Sequence, residues 1–188
     1  MAQSGNSFKV VSMNVRGLRN ARKRRILFHN FKKEKYDIIC LQETYLTKDD
    51  VSLIEKEWSS GFHMAEGSNK SKGLLTLFSK KVTNLPLSLV FVNERCLISF
   101  FSIDDLKFSV VNIYAPCTLS EKVKFLKNVQ DFITDSSSDN DSGHMIVAGD
   151  FNTVLNNSLD IISGINHCSK TVDLFNTLVN NLLLTESK

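Results

Sequence analysis

Five polar residues stand at the edges of apolar runs: Asn14, Glu43, Tyr114, Asp150 and Asn152. Singly, each is what the end of a strand commonly contains, because Asn and Asp hydrogen-bond their own backbone and favour turns. As a set, their types fit one chemistry: hydrolysis of a phosphodiester assisted by a divalent cation. Mg2+ prefers hard oxygen ligands, keeps several waters and needs only one or two carboxylates. Glu43 can supply that carboxylate, and an amide such as Asn14 can orient a metal-bound water or a phosphate oxygen without adding repulsion. Asp150 can position or deprotonate the attacking water. Asn152 and the Tyr114 hydroxyl can donate to oxygens that gain charge in the transition state.

The elements that must carry these residues follow from hydrophobic pattern. FKVVSM at 8–13 runs into the turn-prone NVRGL, predicting a strand that ends at Asn14. Leu27, Phe28 and Phe31 recur at helical spacing among bases up to about Lys35, and DIICLQ at 37–42 has the continuous apolar character of a strand covered on both faces. A helix is expected from Thr47, capped by Asp50, to about Trp58. Strand-like runs at 62–66, 74–79, 87–92 and 96–103 read as antiparallel, punctuated by Gly67, Gly73 and Pro86. The last of them pairs with 107–114 through a turn at Asp104 and Asp105, which leaves Tyr114 at a strand end. TLSE at 118–121 is a capping box for a helix whose apolar positions are Val123, Leu126, Val129 and Ile133. HMIVAGDFN at 144–152 reads as a buried strand with Asp150 and Asn152 at its tip, and a last helix is expected at about 169–183. Two strand-helix-strand segments around antiparallel hairpins predict an α/β architecture of two packed sheets with helices outside, whose strand-end rim binds ligand.

Composition bounds the function classes. With 188 residues, 42% hydrophobic and 23% charged, the chain fits a single globular domain, residues 1–188, and excludes fibrous or wholly disordered classes. Only the Ser/Asp stretch at 136–142 looks disordered. No apolar run approaches the roughly 20 residues of a membrane helix, and MAQSGNSFKV lacks the apolar centre of a secretory signal, so an intracellular, soluble protein with no membrane partner is expected. Cys40, Cys96, Cys117 and Cys168 stand far apart and read as reduced thiols. The net charge of +3 is unevenly spread: residues 1–35 hold ten Lys and Arg against one acid, and the rest holds 13 bases against 19 acids. Such asymmetry suits a polyanion at the N-terminal segment and carboxylates holding a cation elsewhere, and a solvated helix face explains the basic run equally well.

NVRGL at 14–18, LQET at 41–44, NIYAP at 112–116 and GDFN at 149–152 occur in the order and approximate spacing of the endonuclease/exonuclease/phosphatase superfamily. The chain resembles that superfamily over essentially its whole length, and the connecting text, with SNKSKGLLTLFSK and GDFNTVLNNSLD, is most similar to the endonuclease of LINE-type retrotransposons. The resemblance implies a DNase I-like four-layer α/β sandwich of two mixed sheets, Mg2+ as cofactor with Mn2+ as substitute, and nicking of DNA in the nucleus to leave a priming 3′-hydroxyl. It matches Glu43 to the metal-binding glutamate, Asn14 to the asparagine of the first motif and Tyr114 to the phosphate-contacting tyrosine. Asp150 and Asn152 match the catalytic aspartate and the transition-state asparagine. Family members continue to a second aspartate and a Ser-Asp-His motif that residues 1–188 do not contain. On this reading the chain is a C-terminally truncated copy without its last strands, impaired or inactive as a nuclease. Alternatives are an exonuclease III-like repair nuclease, another phosphoesterase of the fold, or a non-catalytic DNA-binding remnant.

Other features take plainer readings. His29, His63, His144 and His167 do not follow an aspartate and are read as surface or structural. ARKRR at 21–25 is read as the exposed start of the first helix before a nuclear-localisation patch, and GSNKSKG at 67–73 as a hairpin connection before a DNA-contacting loop. Asp160 is read as structural, and Phe91, Phe100, Phe101 and Phe108 as sheet core rather than a base-stacking platform.

Overall fold

Strand β1 (Val10–Asn14), helix α1 (Ala21–Lys33) and strand β2 (Ile38–Gln42) open the chain in the computed structural model, which describes residues 7–68, 70–83, 87–103, 106–136, 143–153 and 176. A 3-10 turn (Lys48–Asp50) leads into α2 (Val51–Glu57), then β3 (Phe62–Ser68), β4 (Ser71–Phe78), a four-residue helix α3 (Lys80–Thr83), β5 (Leu87–Asn93), β6 (Cys96–Ile103) and β7 (Leu106–Tyr114). Helix α4 (Leu119–Ser136) and strand β8 (His144–Asp150) follow. One sheet has the order β1-β2-β4-β3 and the other β5-β6-β7-β8. The β1–β2 pair is parallel and the β2–β4 and β3–β4 pairs antiparallel, so the first sheet is mixed. The expected hairpin of β6 with β7 is present, with Cys96 opposite Ile113. Helix α3 escaped the pattern reading because four residues carry no periodicity. Apart from Asn176, which is helical, the expected helix at 169–183 lies outside the described residues, as do the 136–142 stretch beyond Ser136, the turn at 104–105, His167, Cys168 and Asp160.

The chain divides into two compact units: residues 1–114 with 143–149, and residues 115–142 with 150–188. In the first, β2 shows why a continuous apolar run was needed. Ile39 and Leu41 face a cluster with Phe28 and Phe31 of α1 and with Ile54 and Trp58 at the end of α2. Ile38 and Cys40, on the opposite pleat, join Phe78 of β4 and Phe101 and Val110 of the second sheet. All five β2 positions are buried, each large aliphatic contributing roughly 1.5–3 kcal/mol. This unit therefore layers helices, first sheet and second sheet. Phe101 and Phe108 stack at 5.2 Å within that interior, as the sheet-core reading required. His63 bonds Ser99 Oγ through Nδ1 at 2.8 Å, and His144 stacks on Phe108, so both take structural places. Cys40, Cys96 and Cys117 are free, and burial pushes the first two thiols up to about 12.

A buried polar cluster helps tie the two sheets. Gln42 Nε2 donates to Asn112 Oδ1 at 2.8 Å, and Asn112 Nδ2 donates to Thr76 Oγ1 at 3.2 Å, all buried. The Gln of LQET and the Asn of NIYAP are thus structural members of their motifs. Asn112→Leu removes one side of this contact and leaves the Gln42 amide and the Thr76 hydroxyl without that buried partner. A loss of about 2–3 kcal/mol in urea-denaturation stability is expected; a change within roughly 0.5 kcal/mol, the scatter of surface substitutions, would contradict it.

Two expectations are corrected here. ARKRR is not uniformly exposed: Arg24 is buried at 1% exposure, because its guanidinium donates to Glu57 through Nε at 2.5 Å and Nη2 at 3.0 Å, and to the Leu18 carbonyl at 2.7 Å. Along α4 the buried positions are Lys122, Phe125, Leu126, Val129 and Ile133, whereas Val123 is 40% exposed. The apolar stripe starts at Lys122, and Val123 lies a full 100° step away from it. Thr118 does cap this helix, donating to Glu121 Oε2 at 2.6 Å while its carbonyl accepts from Lys122 N–H. Among the described residues no helix is long and apolar enough to cross a membrane.

Candidate active site

The parallel register sets Asn14 beside Gln42, and pairing continues past both strand ends. Val15 N–H donates to Gln42 O, Gly17 N–H to Glu43 O and Leu18 N–H to Thr44 O, at 2.9, 2.6 and 2.8 Å. On the other side Thr44 and Tyr45 N–H groups donate to the Gly73 and Lys72 carbonyls, both at 3.1 Å. Residues 43–45 are therefore held from both flanks beyond the end of β2. The backbone there is left-handed, with φ of 53° at Glu43 and 57° at Tyr45. Gly17, φ 91°, leaves room for the Tyr45 ring, which a Cβ would meet at 3.0 Å. Non-glycine residues enter this region at a cost of roughly 1–2 kcal/mol each, and such strain clusters at functional sites.

The turn brings three predicted residues together. Asn14 Nδ2 donates to Glu43 Oε1 at 2.9 Å, and the Tyr114 hydroxyl also bonds the carboxylate. A residue that pattern reading passed over, Tyr45, donates its hydroxyl to Glu43 Oε2 at 2.6 Å. Its signal was its place in LQETYL, two residues after the glutamate. Asn14 Oδ1 accepts from Arg16 N–H at 3.1 Å, so the amide is oriented with its nitrogen toward the carboxylate. Arg95, also unforeseen, lies over the Tyr114 ring with its guanidinium carbon 4.9 Å from the centroid and donates to the Tyr114 carbonyl at 3.2 Å.

Partial burial acts to raise the Glu43 pKa, but the donors Tyr45, Asn14 and Tyr114 and the charge of Arg16 outweigh it, leaving the carboxyl below the ordinary glutamate value. The ionised form is therefore the one this cluster stabilises. With the folded pKa depressed, the contribution is complete above the unfolded value of about 4.3 and disappears as pH falls through the folded one. Comparing the chain with Glu43→Gln by denaturation across pH 2–7, roughly the span of carboxylate titration, should show a stability difference that changes only on the acid side of that value. A pH-independent difference would contradict the assignment.

The other two predicted residues belong to the second unit. Asp150 O accepts from Ala115 N–H at 2.8 Å, and Asn152 Nδ2 donates to Ala115 O at 2.7 Å, so the end of NIYAP and the tip of GDFN are tied together. Asp150 Oδ1 accepts from Asn152 N–H at 2.9 Å, closing a turn in which Asn152 has φ 47°. Lys122, which the helical pattern did not single out, donates through Nζ to the Asn152 carbonyl and, at 3.2 Å, to Thr153 Oγ1.

The donor set at Glu43 suits a hard cation. Asn14 donates to one carboxylate oxygen and Tyr45 to the other, and a carboxylate has several lone-pair sites, which leaves acceptor capacity for a metal. Among the described residues no three His, Cys, Asp or Glu side chains are grouped to hold an ion. A single carboxylate with water completing the shell is what Mg2+ accepts.

The fold is a two-sheet α/β sandwich with a donor-gripped carboxylate beyond a strand end. The model of the Endonuclease/Exonuclease/phosphatase family matches residues 11–161, and the chain belongs to that family. Its relatives include the transposon TX1 uncharacterized 149 kDa protein of Xenopus laevis, 25% identical over 150 residues, which span 79% of this chain and 11% of that protein. The AP endonuclease LMAP of Leishmania major superposes with a TM-score of 0.75 at 17% identity, over 93% of this chain and 66% of that one. The endonuclease domain of TRAS1, a telomere-specific non-LTR retrotransposon, superposes at 0.62 with 13% identity, over 94% and 71%. The chain thus spans about a tenth of the transposon protein it matches and just under two thirds of the Leishmania enzyme. The DNase I-like sandwich and the retrotransposon resemblance expected from the four motifs both hold.

Proposed function

We propose that residues 1–188 form an endonuclease domain of the LINE retrotransposon type, whose substrate is DNA in the nucleus and whose chemistry is phosphodiester hydrolysis aided by Mg2+, with Mn2+ as substitute. The observation that carries this reading is Glu43: an ionised carboxylate on left-handed backbone, gripped by Asn14, Tyr45 and Tyr114. Glu43 would hold the cation, with Asn14 orienting its carboxylate. When bound, the cation would polarise a phosphate oxygen and offset the negative charge that builds there. Tyr114 and Asn152 would donate to the phosphate oxygens, and Asp150 would position the attacking water and take its proton. The similarity to the TX1 protein and the TRAS1 domain supports the retrotransposon branch.

The polypeptide of residues 1–188 contains no Ser-Asp-His sequence. One such electrostatic contributor is worth a factor of roughly 100 to 1,000 in rate, so this polypeptide is expected to nick supercoiled plasmid little or not at all. Mg2+-dependent nicking that disappears in Glu43→Ala and Asp150→Ala would refute the impairment and leave the chemistry standing. The cation site has its own test. Mn2+ should broaden the NMR signals of Asn14 and Glu43 in the wild type, with affinity about tenfold or more weaker in Glu43→Gln. Equal broadening in both would sink the reading. The superposition on the Leishmania AP endonuclease favours a second reading, repair of abasic sites, which tighter binding to an abasic duplex than to its intact counterpart would support. Salt-dependent DNA binding with no cation site would instead mark a non-catalytic remnant.

A further inference from the structure

Lys122 is a lysine on the buried stripe of α4, only 3% exposed, in a place where hydrophobic periodicity calls for an aliphatic residue. A buried ammonium is tolerated only with partners for its protons. Its partners lie on the turn that follows β8: the Asn152 carbonyl and Thr153 Oγ1, while the Thr153 hydroxyl itself donates to the Phe151 carbonyl at 3.0 Å. Burial pushes the ammonium below the ordinary lysine value, and the nearby Asp150 carboxylate opposes that push. Asn152 sits in the left-handed region, where an asparagine is tolerated but not held. Its N–H binds Asp150, its side chain binds Ala115, and its carbonyl accepts from the Lys122 ammonium of α4. A methionine could fill the same volume; it has no proton to give.

We infer that Lys122 is a positioning residue: its buried ammonium clamps the Asn152 carbonyl and so fixes the turn that presents Asp150 and Asn152. The assignment rests on the roles proposed above for those two residues, but the clamp itself is measurable without activity. In the 188-residue chain, Lys122→Met should move the Asn152 three-bond HN–Hα coupling and 13Cα shift away from left-handed values. It should also speed exchange of the Asn152 amide by about tenfold, the scale of losing one charge-assisted hydrogen bond. Lys122→Arg, which keeps the charge and the donors, should restore both. A merely volume-filling lysine would lower the melting temperature in both variants and leave the Asn152 signature alone, and that result overturns the inference. Should Lys122→Met fail to fold, the unmodified chain decides: the Lys122 15Nζ protons should exchange with water far more slowly than those of exposed Lys124 and Lys127, and equal rates overturn the clamp. Mn2+ binding at Glu43, measured on the same samples, reports separately on the proposed function.

Discussion

Gly149→Ala is expected to lower the unfolding free energy by on the order of 4 kcal/mol, enough to unfold a domain of ordinary marginal stability or bring it close to unfolding. Gly149 lies in β8 with φ 153°, and a Cβ there would collide with the Ile113 carbonyl oxygen and stand 2.8 Å from both its carbonyl carbon and its amide nitrogen. The obstacle is the backbone of β7, which cannot rotate out of the way as a side chain would. Relief requires β8 to retreat from β7, and β8 is the last strand in its sheet order. The glycine of GDFN is therefore demanded by strand packing, one residue before Asp150, whose catalytic role is a proposal. Urea denaturation followed by circular dichroism gives the measurement, and a loss below about 1 kcal/mol, the size of an ordinary surface substitution effect, would show that β8 is not seated as described.

Glu57→Ala should cost about 3–5 kcal/mol, because it leaves the guanidinium of Arg24 buried without its counter-charge. Arg24 is 1% exposed and its bidentate contact with Glu57 joins α1 to the end of α2. The same guanidinium holds the Leu18 and Arg19 carbonyls at 2.7 and 3.2 Å, so it also fixes the loop that begins at Asn14. Removing both partners is a different experiment. Arg24→Met with Glu57→Leu substitutes apolar packing for the pair and should fall within about 1–2 kcal/mol of wild type. The double-mutant cycle separates the pair from its desolvation, and additive single effects would contradict the contact.

What could be read from the sequence was set by how far each signal reaches along the chain. Strands β2, β6 and β7 were legible because a buried strand is a short apolar run; β8 was legible by the same apolar pattern although its residues are only partly buried, and Glu43, Tyr114 and Asp150 sit where β2, β7 and β8 stop. Tyr45 and Arg95 were not legible, because their contacts depend on a left-handed turn and on a hairpin brought beside Tyr114, neither of which a local pattern encodes. Arg24 was hidden for the opposite reason: within ARKRR its type matches its exposed neighbours, and only helical phase distinguishes it. A one-residue error in phase also placed Val123 on the buried face of α4 and overlooked Lys122.

The left-handed backbone at position 43 bears on how this sequence is maintained. Glycine or asparagine would occupy that conformation with less penalty than glutamate, by roughly 1 kcal/mol. Random drift under selection for folding alone would favour such a replacement. Under the function proposed above, a glutamate there trades backbone ease for a cation ligand, so Glu43→Asn would relax the turn and lose the charge.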